Sequence, residues 1–145
     1  MKKLVFLILC YSLQAFADEL PKCPDYRKFD IYVQNNTGHV CVLLSQTLRR
    51  GYMNSDTNTV SIQPNVKTLA YKIDDFPFQG SDVVLSYQCG PDKFITIESE
   101  RDVWAGDHKY VKGWIWSIAG MDTEYTSEYG SCQTNQSANI IWTFS

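Results

Sequence analysis

The sequence predicts an all-β protein: an antiparallel β-sandwich or small barrel of about eight strands, stabilised by disulfides. Three observations lead there. Short β-branched and aromatic runs recur along the chain with Gly, Pro and Asn turn signals between them. No window of about eleven residues carries the 3.6-residue apolar period of a helix. Four of the five cysteines, Cys23, Cys41, Cys89 and Cys132, are widely spaced, as in a disulfide framework.

The N-terminus reads as a leader. Lys2 and Lys3 precede the apolar run Leu4–Leu13, and Ala15-Phe16-Ala17 supplies small residues at the −3 and −1 positions of a cleavage site. The run is shorter than the roughly 20 residues that span a bilayer. Residues 1–17 are therefore expected to be a cleavable, bacterial-type signal peptide. A lipobox over Leu7-Ile8-Leu9-Cys10 is disfavoured by bulky Leu9 just before the cysteine. Cleavage would leave residues 18–145 as one secreted or periplasmic domain with no transmembrane segment. Losing Lys2 and Lys3 makes the chain more acidic than its full-length net charge of −3. That balance argues against nucleic acid as a partner and against simple electrostatic binding to anionic membranes.

Cys10 leaves with the leader, so the remaining four cysteines form an even set. Three pairings are open. The expectation is Cys23 with Cys89 or Cys41, and Cys132 with whichever remains. Metal binding is not expected, because no two cysteines are close and His39 and His108 are the only histidines. No cofactor motif is present.

Residues 18–28 read as an extended polar leader segment. Residues 29–34 and 39–45 read as two strands around the turn Asn35-Asn36-Thr37-Gly38, which together suggest a hairpin. Residues 46–58 read as a loop with a short strand at Arg50–Met53. Strands are expected at 59–62 and 68–73, then a loop at 74–81. Residues 82–89 and 94–100 form a second hairpin around Gly90-Pro91-Asp92-Lys93. Tyr110–Ile118 is another strand, Gly120–Ser131 a Tyr-rich loop, and Asn139–Phe144 the last strand.

Candidate sites follow from this layout. Glu98, Glu100 and Asp102 alternate and so share a strand face, a spacing compatible with paired-carboxylate hydrolysis. With Arg101 between them, an ordinary solvated charged face is the better reading. Trp104, Trp114, Trp116 and Trp142, with nine tyrosines, are a high aromatic load. Trp114 and Trp116 should share a face. Packing in the core is favoured, and an exposed platform for a sugar ring or a membrane interface is the functional alternative. Tyr110, Tyr125 and Tyr129, with Glu124 and Glu128, suggest a recognition loop or plain surface. His39 and His108 have no motif that supports catalysis. Asn35-Asn36-Thr37 and Asn135-Gln136-Ser137 match the glycosylation sequon, but the bacterial-type leader implies that they stay unmodified.

Two resemblances add to this. Val33-Gln34-Asn35-Asn36-Thr37-Gly38, Gly51-Tyr52, Pro64 and Leu85-Ser86-Tyr87-Gln88-Cys89-Gly90 resemble small β proteins exported by Legionella-type intracellular gammaproteobacteria. That group has no settled activity; the resemblance implies a periplasmic protein or a type II secretion substrate facing a host. Tyr87-Gln88-Cys89, Ala105–Tyr110 and Trp116–Gly120 are more distantly similar to periplasmic inhibitors of c-type lysozyme. Ala105 stands where that family has its key serine, an extra residue intrudes, and the second motif lacks its lysine, which removes the groups that would enter the lysozyme cleft. The expected function is binding without covalent chemistry. The partner would be an unknown host or envelope protein, a glycan or a lipid, met through Trp114, Trp116, Tyr125 and Tyr129. A secreted hydrolase using Glu98, Glu100 or Asp102 is the alternative.

Overall fold

A computed structural model describes residues 23–54, 59–77, 79–103 and 109–145. The expected signal peptide, Trp104 and His108 lie outside the described residues. Among the described residues, a 3-10 turn, Asp25–Arg27, precedes ten strands. These are β1 (Lys28–Asn35), β2 (Cys41–Arg50), β3 (Tyr52–Met53), β4 (Ser61–Ile62) and β5 (Val66–Asp74). They continue as β6 (Ser81–Gln88), β7 (Phe94–Asp102), β8 (Tyr110–Ala119), β9 (Thr123–Glu128) and β10 (Ala138–Phe144).

The strands form two five-stranded sheets, ordered β3-β5-β1-β10-β9 and β4-β2-β6-β7-β8. All pairs are antiparallel except β1 with β10. The expected all-β sandwich is what is found, open rather than closed into a barrel. Its period-2 strands turn one set of residues inward: Phe29, Ile31 and Val33 of β1, Val83, Leu85 and Tyr87 of β6, Ile95 and Ile97 of β7, and Ile140, Trp142 and Phe144 of β10 form the core.

The first expected hairpin does not form. β1 pairs with β5 and β10, whereas β2 pairs with β4 and β6 in the other sheet. The turn between them is a corner organised by Asn35, which is fully buried. Its amide nitrogen donates to the carbonyls of His39 (2.7 Å) and Ile62 (3.0 Å), and its oxygen accepts from the Thr37 backbone N–H (3.1 Å) and hydroxyl (2.8 Å). A buried asparagine satisfied in this way carries the backbone from one sheet to the other. The second hairpin, β6–β7, forms as expected.

The disulfides also differ from expectation. They join Cys23 to Cys132 and Cys41 to Cys89. Parallel pairing of Phe29 with Ala138 brings the segments ahead of β1 and β10 together, which places Cys23 beside Cys132. Antiparallel pairing of Val42 with Gln88 sets Cys41 directly across from Cys89.

Arg101 is not a surface charge. β7 points Glu98, Glu100 and Asp102 outward, so Arg101, out of phase with them, points inward and is fully buried. Its guanidinium lies between the rings of Tyr26 (4.6 Å) and Tyr129 (4.9 Å), donates to the Tyr26 carbonyl (2.6 Å) and pairs with Asp75.

Candidate functional site

The outer face of the second sheet is legible as rows of cross-strand partners. Val42, Gln88, Phe94 and Ala119 form one row, and Ser45, Ser86, Thr96 and Ser117 the next. Thr47, Val84, Glu98 and Trp114 follow, and then Arg50, Asp82, Glu100 and Lys112. The face thus runs from an apolar end, across hydroxyls, to an aromatic margin on β8 beside a ladder of alternating charge.

β8 forms that margin because it is an edge strand with a bulge. Thr96 pairs with Ser117 but Ile97 pairs with Ile115, so Trp116 is the extra residue. Alternation puts Trp116 on the outer face along with Trp114, and the bulge lets Ser117 follow on that same face. Its indole Nε1 donates to Glu98 Oε2 (2.6 Å), and the Arg49 guanidinium stacks on its ring (4.6 Å) while donating to Glu98 Oε1 (2.8 Å). Trp114 is 40% and Trp116 55% exposed, so neither is core. The two tryptophans do share a face, as expected, but it is the face that meets water.

The opposite side of β8 is apolar and uncovered as well. Near its start, Gly113 lies against the Trp142 ring, and the Val111 carbonyl accepts from Ser127 of β9. Beyond Gly113 this cover is lost, leaving Ile115 48% and Ile118 42% exposed. From 114 to 118 the strand therefore presents large apolar side chains on both faces of a sheet edge. In the sequence, apolar Ile115 between the two tryptophans already marks one face of the strand as unusual; Ile118 as a surface residue was missed.

The tyrosines separate. The segment expected to be a loop contains β9. Tyr125 packs its ring on Trp142 (4.9 Å) and is 39% exposed at the neighbouring edge. Tyr129 lays its ring against the Arg101 guanidinium and buries its hydroxyl, and burial pushes its titration far above the usual phenol range. It is not brought to the aromatic margin. Tyr110 donates to Glu100 (3.2 Å), and Glu128 accepts from Gln136 (3.3 Å) and Asn139 (3.0 Å). Asn35, the first sequon asparagine, is buried and its amide is engaged.

The expected carboxylate row is held by cations. Glu98 binds Arg49 and Trp116, Glu100 binds Arg50 and Tyr110, and Asp82 completes the cluster from β6 with Arg50 at 4.0 Å. Burial, and then the negative charge of Glu98, push the Asp82 carboxyl up to about 6. Asp82 and the two arginines were not singled out in the sequence; the pairing of β2 and β6 with β7 is what brings them to Glu98 and Glu100. Among the described residues no cluster of three or more His, Cys, Asp or Glu could hold a metal ion, and no helix is long and apolar enough to cross a membrane.

No protein-family profile and no curated protein matches the chain. Among solved structures, the crystal structure of the lipid-binding protein Nakanori is similar, with a TM-score of 0.63 and 12% sequence identity, covering 96% of this chain and 78% of that one. The likeness is one of fold.

Proposed function

We propose that this protein binds lipid surfaces, docking through the aromatic margin of β8. The observation that carries the reading is the run Trp114-Ile115-Trp116-Ile118, whose members are 40–55% exposed at one open sheet edge. A soluble domain seldom leaves contiguous apolar area of this kind in water unless something covers it. Tryptophan suits the bilayer interface in particular, because an apolar ring and a polar N–H sit at headgroup depth together. The fold shared with a protein described as lipid-binding supports the same class of partner. The leader-like residues 1–17 and the two disulfides support an exported protein that meets an envelope or host membrane.

Vesicle co-sedimentation tests the reading, with tryptophan emission as a second readout. The protein should pellet with phospholipid vesicles and its emission should shift to the blue. Trp114→Ala with Trp116→Ala should abolish both effects while the far-UV circular dichroism is unchanged. Equal binding by the double variant would exclude this face.

A further inference from the structure

Short hydroxyl side chains fill one whole row of the outer face. Ser45, Ser86, Thr96 and Ser117 are cross-strand partners on β2, β6, β7 and β8. Leu85, Tyr87, Ile95 and Ile97 on either side of the two central residues point into the core, so the row points out. The Ser86 and Thr96 hydroxyls bond to each other at 2.9 Å, which leaves one of the two O–H groups free to donate. Ser45 and Ser117, at the ends of the row, are exposed.

Taller side chains stand on both sides. Val42, Gln88 and Phe94 rise along one. On the other, Arg49, Glu98 and Trp116 join into a wall that runs from β2 to β8: the Arg49 guanidinium pairs with Glu98 and covers the Trp116 ring, whose N–H also reaches Glu98. Each end of the row carries a β-bulge, with Leu44 the extra residue at Ser45 and Trp116 the extra residue at Ser117. Bulges re-aim side chains, and these two set a large apolar group at each end, 54% and 55% exposed. The result is a shallow trench about 14 Å long, three strand spacings, floored by hydroxyls.

That lining selects its ligand. Hydroxyls donate and accept without charge, and Arg49 and Glu98 neutralise each other, so the trench offers nothing to an ion. The net charge of −3 adds no pull on an anionic headgroup. A sugar matches both parts: its hydroxyls meet the floor and its C–H surface meets Leu44, Phe94 and Trp116. We propose that the row Ser45, Ser86, Thr96 and Ser117 is a sugar subsite, so that the lipids bound through the β8 margin are those with an uncharged sugar headgroup. The proposal rests on the lipid-binding reading and names its headgroup. The trench opens at Ser117 beside Trp116, so a sugar lying in it keeps its acyl chains at the margin that enters the bilayer.

The test compares vesicles of phosphatidylcholine alone with vesicles that also contain digalactosyldiacylglycerol or glucosylceramide. Two net hydrogen bonds to the headgroup should make the protein pellet about tenfold more tightly with at least one of the sugar-bearing vesicles. Ser45→Ala with Ser117→Ala, two exposed positions, should lose most of that preference while binding to phosphatidylcholine alone is unchanged. Thr96→Val, which removes a central hydroxyl at nearly constant volume, should do the same, with thermal melts reporting on its fold. No preference in the wild type for either sugar lipid, or an undiminished preference in both variants, overturns the subsite while lipid binding stands. Binding of the free disaccharide melibiose without pelleting on any vesicle keeps the sugar subsite and overturns the lipid reading. Absence of both overturns both.

Discussion

Arg101 and Asp75 form an ion pair inside the sandwich, joining β7 to the loop that leads into β6. Their side chains are 0% and 6% exposed, so the pair is withdrawn from water. Burial pushes the Asp75 carboxyl up to about 6 even against the pull of the guanidinium, which shows how strongly this site is desolvated. Ser81 donates to Asp75, and the two tyrosine rings close over the cation.

Arg101→Ala should therefore be severely destabilising. It leaves the Asp75 carboxyl buried without its cation and empties the space between the Tyr26 and Tyr129 rings, a loss of about 3–5 kcal/mol. Urea unfolding at neutral pH measures it; a change under about 1 kcal/mol would mean that water reaches the pair.

Asp82→Asn should act in the opposite direction at neutral pH. Asp82 titrates near 6 in the folded protein against 3.8 ordinarily, so its ionised form is disfavoured by folding. Its contribution is fully favourable below about pH 4 and is lost as the pH rises through about 6. The variant should gain stability relative to the wild type across that window and stay ahead above it. Thermal melts over the pH range would show the two curves diverging; parallel curves would contradict the argument.

Gly113→Ala should destabilise the β8 edge. A methyl group there would run into the Trp142 ring and approach Ile140 Cδ1 at 3.1 Å. Neither neighbour can yield easily, because the Trp142 indole is fully buried and its Nε1 donates to Ser99 Oγ at 2.9 Å. Overpacking of this kind costs about 1–3 kcal/mol. A denaturation midpoint equal to wild type would show that β8 is free to shift outward.

Peptide mapping without reduction should recover Cys23 linked to Cys132 and Cys41 linked to Cys89. Because the first bridge spans 109 residues and the second 48, replacing the Cys23–Cys132 pair by serine should cost more stability, within about 2–5 kcal/mol. A larger loss from the shorter bridge would show that strand registration, not chain entropy, dominates.

Most of the fold was readable in the chain. The alternation in Ser81–Gln88 and Phe94–Asp102, with Gly90-Pro91 between them, specifies a hairpin locally, and that hairpin forms. The Asn35–Gly38 turn carries equally good local signals and yet joins two sheets, because the buried Asn35 amide is satisfied by His39 and by Ile62, a residue 27 positions away. Local pattern cannot distinguish these cases, since the deciding hydrogen bond is long-range.

The aromatic margin followed the same division. Sequence alone determined that Trp114 and Trp116 lie together on a β-strand, and that Glu98, Glu100 and Asp102 share a face. Only the tertiary structure decided that the tryptophans meet water, that Arg101 is buried, and that Asp82 completes the charge ladder. The physical reason is that period-2 alternation assigns residues to faces but does not say which face is covered. β8 is uncovered because its sheet ends there, and where a sheet ends is settled by the pairing of the whole chain.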